Sequence, residues 1–193
     1  MPSPLILAST SRYRRELLER LGFPFSAESP GVHEDHLADE KPESRACRLA
    51  AAKAEAVAVR HPDAVVIGSD QVACAGDTVL DKPHTAVRAR EQLARLSGNT
   101  ARFLTAVSIR CQSAGIRLDH LDIVTVRFRP LCADEIERYV AREQPLDCAG
   151  SFKSEALGIT LFEAVESRDP TSLVGLPLIW VAKALRQVGF QLP

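Results

Sequence analysis

The chain opens on four apolar residues, Leu5-Ile6-Leu7-Ala8, that break at once into the hydroxyls Ser9-Thr10-Ser11. A run that short and that apolar reads as a buried strand, and hydroxyl side chains at its end are the residues that cap a helix. The helix follows in the stripe Leu17, Leu18 and Leu21, which stops at Gly22. Strand, polar turn and helix in immediate succession commit the chain to an architecture in which helices cover a sheet.

The same alternation recurs downstream. Residues 29–42 hold Pro30, Gly31, Pro42 and many acids, and read as a loop. Pro42 to about Arg60 is Ala-rich, with helical spacing through Ala46, Leu49, Ala50, Lys53, Ala54 and Val57. Ala64-Val65-Val66-Ile67-Gly68 reads as a second buried strand ending at Ser69-Asp70-Gln71, with strand character resuming at Val72-Ala73-Cys74. Asp81-Lys82-Pro83 is a turn, and Ala86 to Leu96 an amphipathic helix stopped by Ser97-Gly98-Asn99. Phe103 to Arg110 and Leu121 to Phe128 form a two-strand meander turning at Ser113-Ala114-Gly115. Ala133 to Arg142 is a helix and Asp147–Ser151 a polar loop; Ile159–Phe162 is a strand candidate, and Gly175 to Val188 a final helix that tolerates Pro177 in its first turn. The pattern predicts a mixed α/β fold, as one domain or as two lobes sharing one core.

Composition narrows the function. With 46% hydrophobic and 25% charged residues the chain is an ordinary globular protein, and a net charge of -1 is not that of a broadly basic nucleic-acid binder. The five cysteines are odd in number and none stands in a C-x-x-C pair, which argues against a disulfide framework or a structural zinc and fits a reducing compartment. The first apolar run is too short for a signal peptide and no stretch approaches a membrane span, so the expected location is the cytoplasm, with no membrane partner.

The groups that could carry chemistry lie where apolar runs give way to polar ones. Ser9, Ser11 and Arg14 stand at a helix start, where backbone N–H groups and a fork-shaped cation suit phosphate oxygens, although capping alone is the commoner meaning of such hydroxyls. Asp70 follows a strand and could hold a divalent cation or orient a water, or simply cap a turn. Lys53 and Lys82 could neutralise a polyphosphate, against the usual reading of a lone lysine as solvated surface. The acidic segment His33-Glu34-Asp35-His36 offers oxygen ligands for Mg²⁺ or Mn²⁺, or is a solvated loop. No G-x-x-x-x-G-K-[ST] or G-x-G-x-x-G is present.

Taken in order, these segments resemble the Maf-like family of nucleoside triphosphate pyrophosphatases. The resemblance runs from Leu5 to about Val188, through Leu7–Ser11 with Arg14, Glu34, Arg48-Leu49-Ala50 with Lys53-Ala54, Gly68–Val72, Lys82-Pro83, Leu96-Ser97-Gly98, Cys148–Phe152 and Val174–Leu178. Within the family the chain is most similar to the branch that hydrolyses 7-methyl-GTP. The commoner Pro-Arg-Arg is Arg12-Tyr13-Arg14 here, the commoner Asp-Thr is Asp70-Gln71, and Ala-Gly-Ala-Tyr followed by Gln becomes Ala149-Gly150-Ser151-Phe152 with Glu155. Methylation at N7 makes guanine a cation, which an aromatic face such as Tyr13 attracts and a carboxylate such as Glu155 favours.

The resemblance implies one domain over residues 1–193, with two α/β lobes around a cleft, similar to the inosine triphosphate pyrophosphatase fold. It implies cleavage of 7-methyl-GTP to 7-methyl-GMP and pyrophosphate, which keeps modified nucleotides out of polymer. It assigns Asp70, Lys82, Lys53 and Arg14 to catalysis, and Ser9, Ser11, Tyr13, Gln71 and Glu155 to substrate binding. Asp70 and Glu34 are assigned to a Mg²⁺ or Mn²⁺ ion. The expected partner is a small nucleotide, not nucleic acid, and a homodimer is compatible with it. Rival readings are a pyrophosphatase for dTTP, UTP or other noncanonical nucleotides, and a nucleotide-binding regulator of cell division.

Overall fold

The computed structural model describes residues 3–76 and 78–193. Its strands join one mixed sheet in the order β2-β1-β3-β5-β6-β7, with β4 paired to β3. The strands are β1 (Leu5–Ala8), β2 (Ser26–Glu28), β3 (Val65–Ala75), β4 (Thr78–Val79), β5 (Thr100–Cys111), β6 (Ile116–Phe128) and β7 (Phe162–Glu166). The helices are α1 (Arg12–Glu19), α2 (Pro42–Ala58), α3 (Ala86–Leu96), α4 (Ala133–Glu143) and α5 (Leu178–Gln187). The expected mixed α/β class is therefore observed. The backbone divides into two compact units: one takes in the chain through Gln71 with Thr105–Asp122 and Asp169–Pro193, the other Val72–Leu104 and Ile123–Arg168.

The first unit is layered. β1 runs parallel to both β2 and β3, with Leu5 opposite Val65 and Ala8 opposite Gly68. Alternation along β1 sends Leu5 and Leu7 to one face, where they meet Leu17 and Leu18 of α1 and Val181 and Leu185 of α5. Ile6 and Ala8 face the other way, onto Val57 and Ala58 of α2. α2 lies close because its stripe is small and Gly68 has no side chain. A Cβ at Gly68 would stand 2.4 Å from the Ala54 amide nitrogen and 2.5 Å from the Ala50 carbonyl.

The second unit is built on aromatic rings. Phe103, Phe128, Phe152 and Phe162 meet edge to face at centroid separations of 4.8–5.6 Å, a geometry worth about 0.5–1.5 kcal/mol per pair beyond burial. α3 and α4 pack on each other here and add Leu93, Leu96, Ile136 and Val140 to the buried set.

Several boundaries differ from the sequence expectation. Asp70 is not at a strand end: β3 passes without interruption through Ser69-Asp70-Gln71, because those polar groups find buried partners. Residues Leu157–Leu161 form a 3-10 turn, so the strand expected at Ile159–Phe162 begins only at Phe162. Gly158 sits against the Lys153 backbone, where a Cβ would approach a carbonyl to 2.3 Å. The final helix starts at Leu178 rather than Gly175, since Gly175 takes a φ of 123° and Pro177 becomes the cap. The central hairpin strands are longer than their apolar cores, and the short strands β2 and β4 carry no apolar signature. Among the described residues no helix is long and apolar enough to cross a membrane.

Candidate active site

The register of β1 and β3 creates the site. β1 stops at Ala8, opposite Gly68, while β3 continues. Ser69 and Asp70 thus extend past the end of β1, where the chain turns into α1. Carboxyl ends of parallel strands are where open α/β sheets bind ligands.

The α1 entry is built from its own hydroxyls. Ser11 caps the helix, its Oγ accepting from the Arg14 amide at 3.4 Å, and Ser9 Oγ accepts from the Ser11 amide at 3.1 Å. Among the described residues neither hydroxyl donates to a protein acceptor, and hydroxyls beside the free N–H groups of a helix start are a donor set that suits an anion.

Arg14 comes off the first turn of α1. Its Nε donates to the Gly175 carbonyl at 3.0 Å, a bond that does not use the two terminal NH₂ groups of the guanidinium fork. Burial pulls the guanidinium below its usual pKa, and the negative charges of Asp70 and Glu34 pull it back up. An arginine stays protonated under such opposing influences.

Lys53 is the buried lysine of the α2 stripe, its side chain 7% exposed. Its Nζ stands 2.6 Å from Asp70 Oδ1 and 2.6 Å from Glu34 Oε1. A charge buried like this is tolerated only when paired, and removing one partner of such a pair typically costs about 3–5 kcal/mol. Glu34 reaches it from the acidic loop, which α2 holds by two arginines. Arg48 grips Glu40 with both arms, at 2.6 and 2.7 Å, and donates to the Asp35 carbonyl; Arg45 donates to the Glu34 carbonyl.

Arg14, Glu34, Lys53, Asp70, Ser9 and Ser11 thus all belong to the first unit, and Lys53 bridges the two carboxylates. Tyr13 is half-buried on α1, and the Arg12 guanidinium lies over its ring at 4.7 Å while donating to its hydroxyl at 2.7 Å. That ring is a working cation platform, used here by its own neighbour. Gln71 is engaged elsewhere: its Nε2 donates to Thr105 Oγ1 (2.8 Å) and to the carbonyls of Ser172 (3.0 Å) and Leu173 (3.2 Å). Ser69, absent from the sequence-derived set, is fully buried, its hydroxyl between the carbonyls of Ala106 (2.9 Å) and Gly175 (3.0 Å). A hydroxyl directly before Asp70, between an apolar run on one side and Val72-Ala73-Cys74 on the other, was the signal that could have found it.

Lys82 and Glu155 belong to the second unit and both are exposed. Lys82 sits in a rigid connection: Pro83 is buried, the His84 amide donates to the Leu146 carbonyl, and Gln92 donates to the Asp81 carbonyl. Glu155 follows a pinned loop. Phe152 is locked among the aromatic rings, Ser151 Oγ donates to Gln92, the Lys153 amide donates to the Tyr139 hydroxyl, and Lys153 Nζ donates to the Glu143 carbonyl.

The donor set suits a hard divalent cation shared with a polyphosphate. Asp70 and Glu34 present two carboxylates around one point of positive charge, and Mg²⁺ takes one or two carboxylates with waters and phosphate oxygens for the rest. Among the described residues no group of three or more His, Cys, Asp or Glu is placed to hold a metal ion by itself.

The chain is 58% identical over 189 residues to a protein of Xanthomonas campestris pv. campestris named 7-methyl-GTP pyrophosphatase, covering 98% of both chains. It is 53% identical to a protein of that name from Aromatoleum aromaticum, over 99% of this chain and 98% of that one. A third, from Pseudomonas putida, is 50% identical over 98% and 99%. Among solved structures there is a loose likeness to the Staphylococcus aureus Ham1 protein, with a TM-score of 0.43 and 13% identity over 65% of this chain and 72% of that one. The model of the family described as Maf-like protein matches residues 4–188, a span that includes every residue placed above, and the chain belongs to that family.

Proposed function

We propose that this protein hydrolyses 7-methyl-GTP to 7-methyl-GMP and pyrophosphate. The observation that carries the reading is identity of 50–58% along nearly the whole chain to relatives bearing that activity in their names. The first unit supplies chemistry to match. The polyphosphate lies at the α1 start, with the Ser9 and Ser11 hydroxyls and the Arg14 fork donating to its oxygens. Asp70 orients the attacking water through the carboxylate oxygen that Lys53 does not occupy, and accepts its proton. The new bond joins that water oxygen to the α-phosphorus. The bond from the α-phosphorus to the α–β bridging oxygen breaks, and pyrophosphate leaves. Lys53 balances charge as negative oxygens gather around Asp70 and Glu34. Asp70 and Glu34 would hold a Mg²⁺ or Mn²⁺ ion, whose charge would further neutralise the phosphate oxygens.

Tyr13 and Glu155 account for the base. A methylated guanine is cationic, the Tyr13 ring already holds a guanidinium, and Glu155 offers a carboxylate from a fixed loop. Lys82 offers a cation to the leaving pyrophosphate, again from a fixed connection. Gln71 contributes through the backbone it holds. The protein acts inside the cytoplasm on a free nucleotide.

Pyrophosphate release by the purified protein with Mg²⁺ or Mn²⁺, on 7-methyl-GTP, GTP, dTTP, UTP and CTP in parallel, tests this. Preference for 7-methyl-GTP over GTP is the expected result. Preference for dTTP or UTP would overturn the base assignment while keeping the hydrolytic one. Release from none of the five would overturn both.

A further inference from the structure

An arginine that must present its fork to a phosphate has four side-chain torsions to settle, and fixing so long a side chain costs rotamer entropy. In this protein the torsions are settled by a backbone carbonyl. Gly175 O accepts from Arg14 Nε and lies against the Ser69 hydroxyl, each at 3.0 Å; that hydroxyl shares its one proton between Gly175 O and the Ala106 carbonyl at 2.9 Å. The carbonyl can aim the guanidinium only if its own turn is fixed, and that turn is held along its length. The Ser172 carbonyl accepts from Gln71 Nε2 (3.0 Å) and Thr105 Oγ1 (2.9 Å), the Leu173 carbonyl from Gln71 (3.2 Å), and the Ser172 hydroxyl donates to the buried Asp122. Upstream, Asp169 closes the segment. One of its oxygens accepts from the Thr171 amide and hydroxyl and the other from the Ile179 amide in α5, at 2.6–2.9 Å. Gly175 itself has a φ of 123°, and a Cβ there would lie 3.5 Å from Arg14 Nε.

We propose that Ser69 and Gln71 are positioning residues, which fix the Ser172–Gly175 turn so that its last carbonyl aims the Arg14 fork at the polyphosphate. The two flank Asp70 on β3. One strand therefore carries the water-orienting carboxylate and, on either side of it, the latches of the phosphate clamp. The inference rests on the reading of Arg14 as a phosphate ligand, and it gives Gln71 a role other than contact with the base.

The test is calorimetric titration of inorganic tripolyphosphate, with Mg²⁺ present, into the wild type and into Ser69→Ala, Gln71→Met and Arg14→Ala, alone and combined. Arg14→Ala is expected to weaken binding about ten- to a hundredfold, the range for a hydrogen-bonded charge. Ser69→Ala and Gln71→Met are each expected to weaken it about three- to tenfold at a melting temperature near that of the wild type, and to have no effect once Arg14 is absent. The two substitutions hold opposite ends of the turn, so either one that folds carries the test. Equal losses with and without Arg14 would mean that both residues act only on the general structure, and would overturn the inference while leaving the clamp standing. Unchanged binding in the single variants would do the same. Tripolyphosphate binding indifferent to Arg14 would remove the clamp and the inference together.

Discussion

The two units bury different things. Among the described residues every buried polar or charged side chain but Ser151 belongs to the first unit, including Lys53, Asp70, Arg110, Asp122 and Asp169. The second unit buries phenylalanines and leaves Lys82 and Glu155 exposed. Buried charge is a weak source of stability, because desolvation consumes most of the Coulombic gain, whereas ring packing is a strong one. The first interior is thus organised around paired polar and charged groups, and the second around packed rings.

This contrast can be broken by substitutions that separate rate from stability. The largest effect is expected from Asp70→Asn, which keeps a hydrogen-bond acceptor for Lys53 but cannot take a proton. Turnover should fall about a hundred- to ten-thousandfold, the range for loss of a general base, with nucleotide binding largely retained in a titration. Near-normal turnover would remove Asp70 from the chemistry. Next comes Phe128→Ala in the ring cluster, where truncating a fully buried phenylalanine typically costs about 3–5 kcal/mol. Denaturant unfolding should show that loss while turnover per folded molecule changes little; a lost rate at intact stability would erase the distinction between the interiors.

The smallest effect concerns His120, which stacks on Trp180 with centroids 5.0 Å apart and rings 7° from parallel. Burial lowers the His120 pKa, and Asp122 and Asp169 oppose that. The neutral ring is therefore the form the fold prefers, and the stability it adds is present above about pH 6.5 and lost as pH falls through the lower folded value. Fluorescence of Trp180, the chain's single tryptophan, should titrate with a midpoint below about 6.5, and His120→Gln should abolish the step. A midpoint above that value would mean that the two carboxylates outweigh burial.

The sequence made the α/β class legible because its apolar runs and stripes are local. Leu5–Ala8, the α2 stripe and the cap at Ser11 all appear where periodicity and capping put them. What stayed hidden depends on partners distant in the chain. Ser69-Asp70-Gln71 looks like the end of a strand because it is polar, but it continues β3 because Lys53, Ala106, Gly175 and Thr105 satisfy it. Ser26-Ala27-Glu28 carries no apolar alternation and becomes a strand by pairing with β1. Ile159 and Leu161 have the spacing of a strand, but Gly158 pressed on the Lys153 backbone turns the chain first. The residues of the candidate site were nameable, but the Lys53 bridge between Asp70 and Glu34 and the Gly175 aim on Arg14 were not, since no local pattern encodes a meeting of segments so far apart.

The contact at Gly68 has a genetic consequence. Two residues before Asp70, and facing the α2 turn that bears Lys53, it lets helix and strand meet backbone to backbone. Every missense change in its codon adds at least a methyl group, and the smallest of them already collides with Ala54 and Ala50. In a saturation library selected for activity, position 68 should therefore be as intolerant as Asp70 itself, although it has no side chain to offer a substrate, and a naive reading of such a survey would score it as catalytic.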